Sequence, residues 1–273
     1  MTRRTTSSAA ILFSVFALVG CDFGDAATNA EAREAVDAVV TAEQGAKMSS
    51  DAIEITTNFT LGQAAEEAAI ELVSWFESQI PCSTASRDGA SVTIDFGDLN
   101  DACEYNGRTW AGALTVSIAA AEESGAEISH RWDGLTDGNI TLDGEASVTW
   151  SRDGERRVVH NYEWSGGRDS LIGSGDRTWT LLDAYDGLNI DGDRSWEIDG
   201  NIWDLEIQDV EVRGQDPVPQ DGAYIITNPV GNRLTLSFSR IDDDSIEVTV
   251  DGTRRSRSFI VNSAGDVEEN DID

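Results

Sequence analysis

The residue types that most often carry catalysis are scarce in this chain. There are two histidines, His130 and His160, and neither lies in an HExxH motif or beside a cysteine. The sequence also lacks a GxSxG nucleophile elbow, a phosphate-binding glycine loop and a dinucleotide fingerprint. His160 falls on the apolar side of an alternating segment, so we interpret it as a hydrogen-bonded histidine of the core or sheet. We therefore expect no enzyme activity and no cofactor; a Ser-His-Asp triad built from distant residues is the alternative.

Carboxylates are abundant, because the chain has 51 Asp and Glu residues against 19 Lys and Arg. Glycoside hydrolysis needs only two carboxylates, so this abundance neither supports nor opposes it. The runs Asp242–Asp244 and Asp186–Asp193 offer the oxygen ligands that calcium prefers. An EF-hand register fails in the second run, because Gly192 in the sixth position would leave Gly187 first and Ile198 twelfth. We interpret most of these aspartates as turn residues or solvated charge, and we predict no metal site.

The formal net charge of −32 limits the possible partners. A strongly negative surface repels phosphates, which argues against nucleic acid as a partner. It also disfavours broad contact with anionic lipid headgroups. Lys47 is the only lysine. An acidic, lysine-poor surface suits a salty medium, in which screening weakens the self-repulsion.

Aromatic residues are the remaining candidates for a binding site. Aromatic faces beside carboxylates suit sugars, and a concave aromatic sheet suits lipids. Tryptophan is also a favoured strand residue that fills a core, and we favour this interpretation. Seven of the eight tryptophans lie in the predicted β region, at Trp110, Trp132, Trp150, Trp164, Trp179, Trp196 and Trp203.

The N-terminus has the pattern of an export signal. Two arginines precede the apolar run Ala9–Val19, which is too short to span a bilayer. The run leads into Leu18-Val19-Gly20-Cys21, which resembles the lipobox of bacterial lipoproteins. The resemblance implies that residues 1–20 are removed and that Cys21 becomes an N-terminus carrying acyl chains such as palmitate. An ordinary secretory signal in which Cys21 is incidental is the alternative.

The same resemblance implies a location. The protein would be anchored by lipid to the inner or outer membrane of the cell envelope, with its body exposed to the periplasm or the cell surface. Its expected partner is then the lipid bilayer, reached through acylated Cys21. Residues 21–29 are small and polar, and we interpret them as the acylated N-terminus and a tether.

Export also bears on the other two cysteines. Cys82 and Cys103 lie 21 positions apart and form no CxxC motif. In an oxidising compartment, two such cysteines typically form a disulfide. The predicted strand Ser91–Phe96 and its flanking turns can return the chain to the roughly 6 Å Cα separation that a disulfide needs. We predict a Cys82–Cys103 disulfide; two separate thiols, one of them reactive, are the alternative.

Two helices are predicted in residues 30–81, which we expect to pack on the body of the protein. Residues 30–49 have apolar residues at helical spacing, and Gly45 weakens the end of this helix. In the second helix Thr60 can provide the N-terminal cap, an apolar stripe runs along one face, and Pro81 follows the end.

After Pro81 the hydrophobic period changes to two, as expected for strands with one buried and one solvated face. Asx-Gly pairs, typical of tight hairpin turns, recur from Asp88-Gly89 to Asp251-Gly252 and divide the region into roughly a dozen strands. We predict a mainly β fold with an N-terminal α-helical segment. The antiparallel meander sheet over residues 82–262 would be curled into a barrel or half-barrel, and residues 263–273 would form an acidic disordered tail.

The stretch from Cys82 through Asp95-Phe96-Gly97-Asp98 and Cys103 to Asn106-Gly107 and Trp110-Ala111-Gly112 resembles uncharacterised bacterial envelope lipoproteins. Those proteins also place a helical segment before a run of strands, and the resemblance implies no activity. It supports the architecture alone.

Three functions fit these observations. The leading one is a non-catalytic binding or structural module of the envelope, for which we expect a filled core. The second is a carrier or chaperone of lipid or another apolar ligand, resembling lipoprotein-carrier folds, with a dry cavity of several hundred Å³. The third is a carbohydrate-binding or carbohydrate-hydrolysing module, with an open groove, exposed tryptophans and two facing carboxylates.

Overall fold

A computed structural model describes residues 27–57, 59, 63–121, 125–151, 155–167, 169–182, 187–213, 216–253 and 255–270. The export signal, Cys21 and the predicted cap Thr60 lie outside these residues. The lipid anchor therefore stays a prediction from the sequence.

Two helices precede the strands, as predicted: α1 spans Asn29–Ile55 and α2 spans Ala65–Gln79. A capping box begins α1, in which the Thr28 hydroxyl accepts from the Glu31 backbone N–H and the Glu31 carboxylate accepts from the Thr28 N–H. Ala64 precedes α2 without a side-chain cap. Phe76 of α2 is buried, and its ring lies 6.2 Å from the ring of Phe96. The second helix therefore covers the first strands of the sheet.

Helix α1 continues ten residues beyond Gly45, so the prediction that this glycine lies near the helix end was wrong. A Cβ atom at Gly45 would lie 2.2 Å from Cδ1 of the Trp164 indole. The missing side chain lets the helix backbone lie against that ring. Glycine costs a helix roughly 1 kcal/mol relative to alanine, and the close contact offsets this loss.

In the part of the chain that the structure describes, fifteen strands follow, and they form one antiparallel sheet. The path runs from β1 to β15 in chain order, except that the short β3 pairs with β4 outside it. The strands are β1 Thr84–Asp88, β2 Ser91–Asp95, β3 Cys103–Tyr105, β4 Arg108–Ala121, β5 Gly125–Thr136, β6 Ile140–Trp150, β7 Arg156–Gly166, β8 Asp169–Leu181, β9 Leu188–Ile198, β10 Asn201–Val212, β11 Asp221–Thr227, β12 Arg233–Arg240, β13 Ser245–Asp251, β14 Arg257–Asn262 and β15 Val267–Asn270.

The mainly β, antiparallel meander is confirmed, but the sheet is not closed into a barrel, because β1 and β15 are not paired in the part of the chain that the structure describes. Asn106-Gly107 and Asp199-Gly200 form the predicted tight turns, with positive φ at both residues of each pair. Asp143-Gly144 instead lies inside β6, so its predicted turn was wrong. A Cβ at Gly144 would lie 2.4 Å from the Asn161 carbonyl oxygen, and the glycine permits this close strand approach.

Helix α1 lies across the buried face of the sheet and crosses many strands. Near its start, Arg33 Nη2 donates to the Val267 carbonyl on β15, at 3.0 Å. At its C-terminal cap, Thr56 Oγ1 lies 2.9 Å from His130 Nε2 on β5. The opposite face of the sheet is solvated and carries exposed residues such as Ile202. The expectation of one buried and one solvated face is confirmed.

The predicted Cys82–Cys103 disulfide is present, with the two Cα atoms 5.5 Å apart. Cys82 follows the end of α2, and Cys103 begins β3. The bond therefore ties the helical segment to the first strands of the sheet.

Part of the predicted disordered tail is a strand. Val267 pairs with Val261 as β15 adds to the edge of β14, and Val267 packs against the core. An ion pair between Arg257 and Glu269 joins the two strands at 3.3 Å. Backbone pairing at an open edge thus overrides the acidic composition of residues 267–270.

Candidate functional site

A cavity of about 590 Å³ lies between α1 and the sheet, within the 300–1,000 Å³ range of small-molecule sites. We call it the α1 cavity. Its helix wall is a stripe of α1 whose members recur every three or four residues: Val40, Glu43, Gln44, Ala46, Lys47, Ser50, Asp51 and Glu54. Its opposite wall is mostly aliphatic and comes from β8 to β10 and the loop after β10: Leu181, Leu188, Ile190, Ile207, Val212 and Val218.

The carboxylates on the cavity wall are paired with cations, so the wall does not carry the strongly negative charge of the whole protein. Four carboxylates line it, and each forms an ion pair with an arginine that is not part of the wall. Asp51, for example, lies 2.6 Å from Arg108. The pairs are Glu43–Arg194, Asp51–Arg108, Glu54–Arg156 and Asp216–Arg240.

The Glu43 carboxylate binds two buried side chains of the sheet. It accepts hydrogen bonds from Arg194 and from the Tyr224 hydroxyl, which lies 2.9 Å from its Oε1. Burial, the largest single influence, would lower the pKa of Arg194, but Glu43, Tyr224 and Tyr162 together outweigh burial and raise it. Burial and the same carboxylate raise the pKa of Tyr224. Arg194 is therefore a cation and Tyr224 a neutral phenol at all ordinary pH values.

Arg177 on β8 contributes a second buried guanidinium, and this one lines the cavity. Its exposed fraction is 3%, similar to the 4% of Arg194. Within the described part of the chain it forms no ion pair, and its Nε and Nη2 are enclosed without a hydrogen-bond partner. The guanidinium carbon lies 5.1 Å from the Trp179 ring centroid, in a cation–π contact. Burial, and then the charge of Arg194, lower the pKa of Arg177 to about 10, so it is charged at pH 7.

The two histidines do not take part in the cavity wall. His160 is buried on the inner face, as predicted, but neither ring nitrogen has a hydrogen-bond partner among the described residues. Burial, together with Arg177 and Arg194, lowers the pKa of His160 to about 2. Burial lowers the pKa of His130 to about 3. Both rings are neutral at pH 7 and are poorly suited to general acid–base catalysis.

The other candidates from the sequence do not assemble into a site. All seven tryptophans of the β region are between 1% and 8% exposed, so they fill the core and offer no platform for sugars. In the described ranges, no group of three or more His, Cys, Asp or Glu side chains could hold a metal ion. The Asp242 carboxylate accepts from the Asp244 backbone N–H at 2.9 Å, which is the turn role that we expected.

Sequence reasoning missed Arg177 and the helix wall of the cavity. A signal was present, because Arg177 lies at the same parity in β8 as the buried residues Leu171 and Trp179. An arginine on the inward side of a strand is a candidate for a buried charge. The stripe of α1 that includes Glu43 and Lys47 has the composition of a solvent-facing stripe, so composition alone could not identify it as a cavity wall.

No family model, curated protein or solved structure matches the chain. Among the helices of the described residues, none is both long and apolar enough to cross a membrane. The cavity and its surroundings therefore carry the functional argument.

Proposed function

We propose that this protein is a lipid-anchored envelope module that binds an apolar ligand, without catalysis, in the α1 cavity. The observation that carries the proposal is the space of about 590 Å³ under α1, with its aliphatic sheet wall. A purely structural module would be expected to cover this aliphatic wall, because apolar surface left open to water does not contribute the stability that its burial would give. Each Å² of apolar ligand surface buried there would contribute roughly 25 cal/mol.

The helix–sheet arrangement favours a carrier or binding role. We infer that the sheet curves around α1 as a half-barrel, because this one helix reaches partners from β5 to β15. A helix lying on an open sheet can shift without breaking strand pairs, which would give a ligand a route into the cavity. A carbohydrate module has weaker support, because the tryptophans are buried in the core.

The binding proposal is tested with the mature chain from residue 21, secreted with a conventional signal peptide and carrying Cys21→Ser. The probe is N-phenyl-1-naphthylamine, an uncharged aromatic molecule that fluoresces in apolar surroundings. Ile207→Trp places a larger side chain in the cavity wall and should weaken binding at least tenfold. Ile202→Trp is the matched control on the same strand, because Ile202 faces solvent.

The wild-type chain and Ile202→Trp should bind the probe with equal affinity. The proposal is wrong if the wild-type chain does not bind it, or if a folded Ile207→Trp variant binds it equally well. Circular dichroism of each variant checks that the fold is retained.

The anchor is tested separately in cells. The lipobox resemblance predicts that the full chain takes up an alkyne analogue of palmitate and fractionates with membranes. Cys21→Ser should abolish both, whereas Cys82→Ser should leave the label in place. Labelling that survives Cys21→Ser would contradict acylation at this residue.

A further inference from the structure

We propose that the ligand of the α1 cavity is an amphiphile with a carboxylate head and an apolar body, and that Arg177 binds the head. This inference rests on the proposed function, because it places the ligand in the same cavity. It adds the charge and shape of the ligand and the residue that recognises it.

Arg177 is unusual in this fold because it is a buried charge without an ion-pair partner among the described residues. Buried charges in proteins are normally paired, because desolvation of an isolated ion is costly. Arg194, on the neighbouring strand and equally buried, follows the rule through Glu43 and Tyr224. Arg177 does not, although the chain has 51 carboxylates. A bound anion would supply the missing partner.

The neighbours of Arg177 leave the N–H donors of its guanidinium free. The Trp179 ring interacts with the guanidinium as a cation–π partner. Such a contact uses the charge but accepts none of the N–H donors in the guanidinium plane. The Glu43 carboxylate is near enough to influence Arg177 electrostatically, yet it accepts hydrogen bonds from Arg194 and Tyr224.

The guanidinium of Arg177 can be reached from inside the cavity. Nε and Nη2 are enclosed, whereas Nη1 is not among the enclosed atoms of this residue, and Arg177 forms part of the cavity wall. An anion inside the cavity can therefore reach the guanidinium from the side of Nη1. The planar fork of an arginine suits a carboxylate, which can accept two of its N–H groups.

The charge and the aliphatic wall of the cavity indicate the chemical class of the ligand. Arg177 is the one buried cation of the wall, since Lys47 and Arg213 are only half-buried, and the Glu43 carboxylate acts on it electrostatically. This favours a single negative charge over a doubly charged phosphate. The aliphatic wall formed by residues such as Ile190 and Ile207 requires an apolar body, which a small inorganic anion lacks. A long-chain carboxylate has both features.

The experiment compares three ligands that separate charge from chain. Palmitate, hexadecan-1-ol and acetate are titrated into the Cys21→Ser mature chain by calorimetry, with palmitate kept below its critical micelle concentration. Palmitate should bind at least tenfold more tightly than hexadecan-1-ol, and acetate should not bind measurably. Acetate binding as tight as palmitate binding would overturn the amphiphile class.

Arg177→Met removes the charge and keeps a long apolar side chain. It should weaken palmitate binding at least tenfold and leave hexadecan-1-ol and the uncharged naphthylamine probe unchanged. Arg157→Met is the matched control on the neighbouring strand, because Arg157 lies on the solvated face. Arg177→Lys, which keeps the charge without the fork, should retain part of the palmitate affinity and serves if the methionine variant does not fold.

Two outcomes distinguish this inference from the proposed function. If palmitate and hexadecan-1-ol bind equally and folded Arg177 variants bind both normally, the inference is wrong and the apolar cavity proposal stands. If neither ligand nor the probe binds to the wild-type chain, the proposed function fails with it. Loss of palmitate binding in Lys47→Gln but not in Arg177→Met would move the head to Lys47 and would also overturn the assignment.

Discussion

Two adjacent stripes along α1 meet the rest of the protein in different ways. The stripe that includes Gly45, Met48 and Ala52 is buried, and Gly45 lies directly against the Trp164 indole. The stripe that includes Glu43 and Lys47 borders a cavity of about 590 Å³. Both stripes belong to one helix, so the difference comes from side-chain size and charge. Small residues opposite aromatic rings close the first interface, and polar residues opposite aliphatic ones leave the second open.

The difference indicates where stability and function are separated in this molecule. Substitutions in the tight stripe should disturb folding, because close-packed interiors cannot absorb added volume. Substitutions in the cavity stripe should disturb folding only where they break a buried ion pair. The following predictions test that separation, in order of decreasing effect.

The largest expected effect is acid destabilisation through the two buried histidines. Their native pKa values are about 3 for His130 and about 2 for His160, below the unfolded value of 6.5. The unfolded chain therefore binds more protons as the pH falls below 6.5, and stability is lost in that direction. Above pH 6.5 both rings are mostly neutral in the folded and in the unfolded chain, so neither lowers the free energy of unfolding there. Between pH 7 and pH 5 the free energy of unfolding should fall by about 4 kcal/mol in total.

Urea denaturation at a series of pH values at fixed ionic strength measures this slope. His160→Gln should halve the slope between pH 6 and pH 5. A wild-type slope close to zero in this window would show that the rings are protonated in the folded protein, and the tight packing around His130 and Thr56 would have to be revised.

The second effect is added volume in the tight stripe. Gly45→Val would press a side chain into the Trp164 ring and should lower the free energy of unfolding by about 3 kcal/mol. Gln44→Val, one residue away on the cavity stripe, is the matched control and should change it by less than about 1 kcal/mol. Urea midpoints at pH 7 check both values. Equal losses in the two variants would mean that the stripes do not differ in packing.

The third effect concerns the ion pair that the cavity stripe makes with the sheet. Glu43→Gln leaves the buried Arg194 without its carboxylate and should cost about 2 kcal/mol, because the glutamine amide replaces only part of the interaction. Asp37→Asn breaks the exposed pair with Arg33 on the same helix and should cost less than about 0.5 kcal/mol. Thermal unfolding of the two variants provides the measurement. A loss in Glu43→Gln no larger than in Asp37→Asn would remove the structural role assigned to Glu43.

The sequence predicted the strands and the disulfide better than the cavity. Period-two segments such as Leu234–Phe238 and Ile246–Val250 correspond to β12 and β13, because alternation is a local property of the chain. The Cys82–Cys103 bond was likewise predicted from compartment and spacing. These features depend on neighbours in sequence or on simple chain geometry.

The cavity depends on partners far apart in the chain. Glu43 and Arg194 are 151 positions apart, and no local pattern links them. Gly45 was interpreted as a weak point of the helix, because its packing partner Trp164 also lies far from it in the chain. The sheet closure was overestimated for a related reason, since strand count and turns do not fix the curvature of a long meander.

Locating a bound chain would show directly whether the α1 cavity holds an amphiphile. A crystal structure of the Cys21→Ser mature chain saturated with 12-bromododecanoate would show the bromine by anomalous scattering. We predict a bromine peak between α1 and the wall formed by Ile190 and Ile207, with the carboxylate at Arg177. An empty cavity at saturating ligand, or bromine found only outside it, would contradict the account.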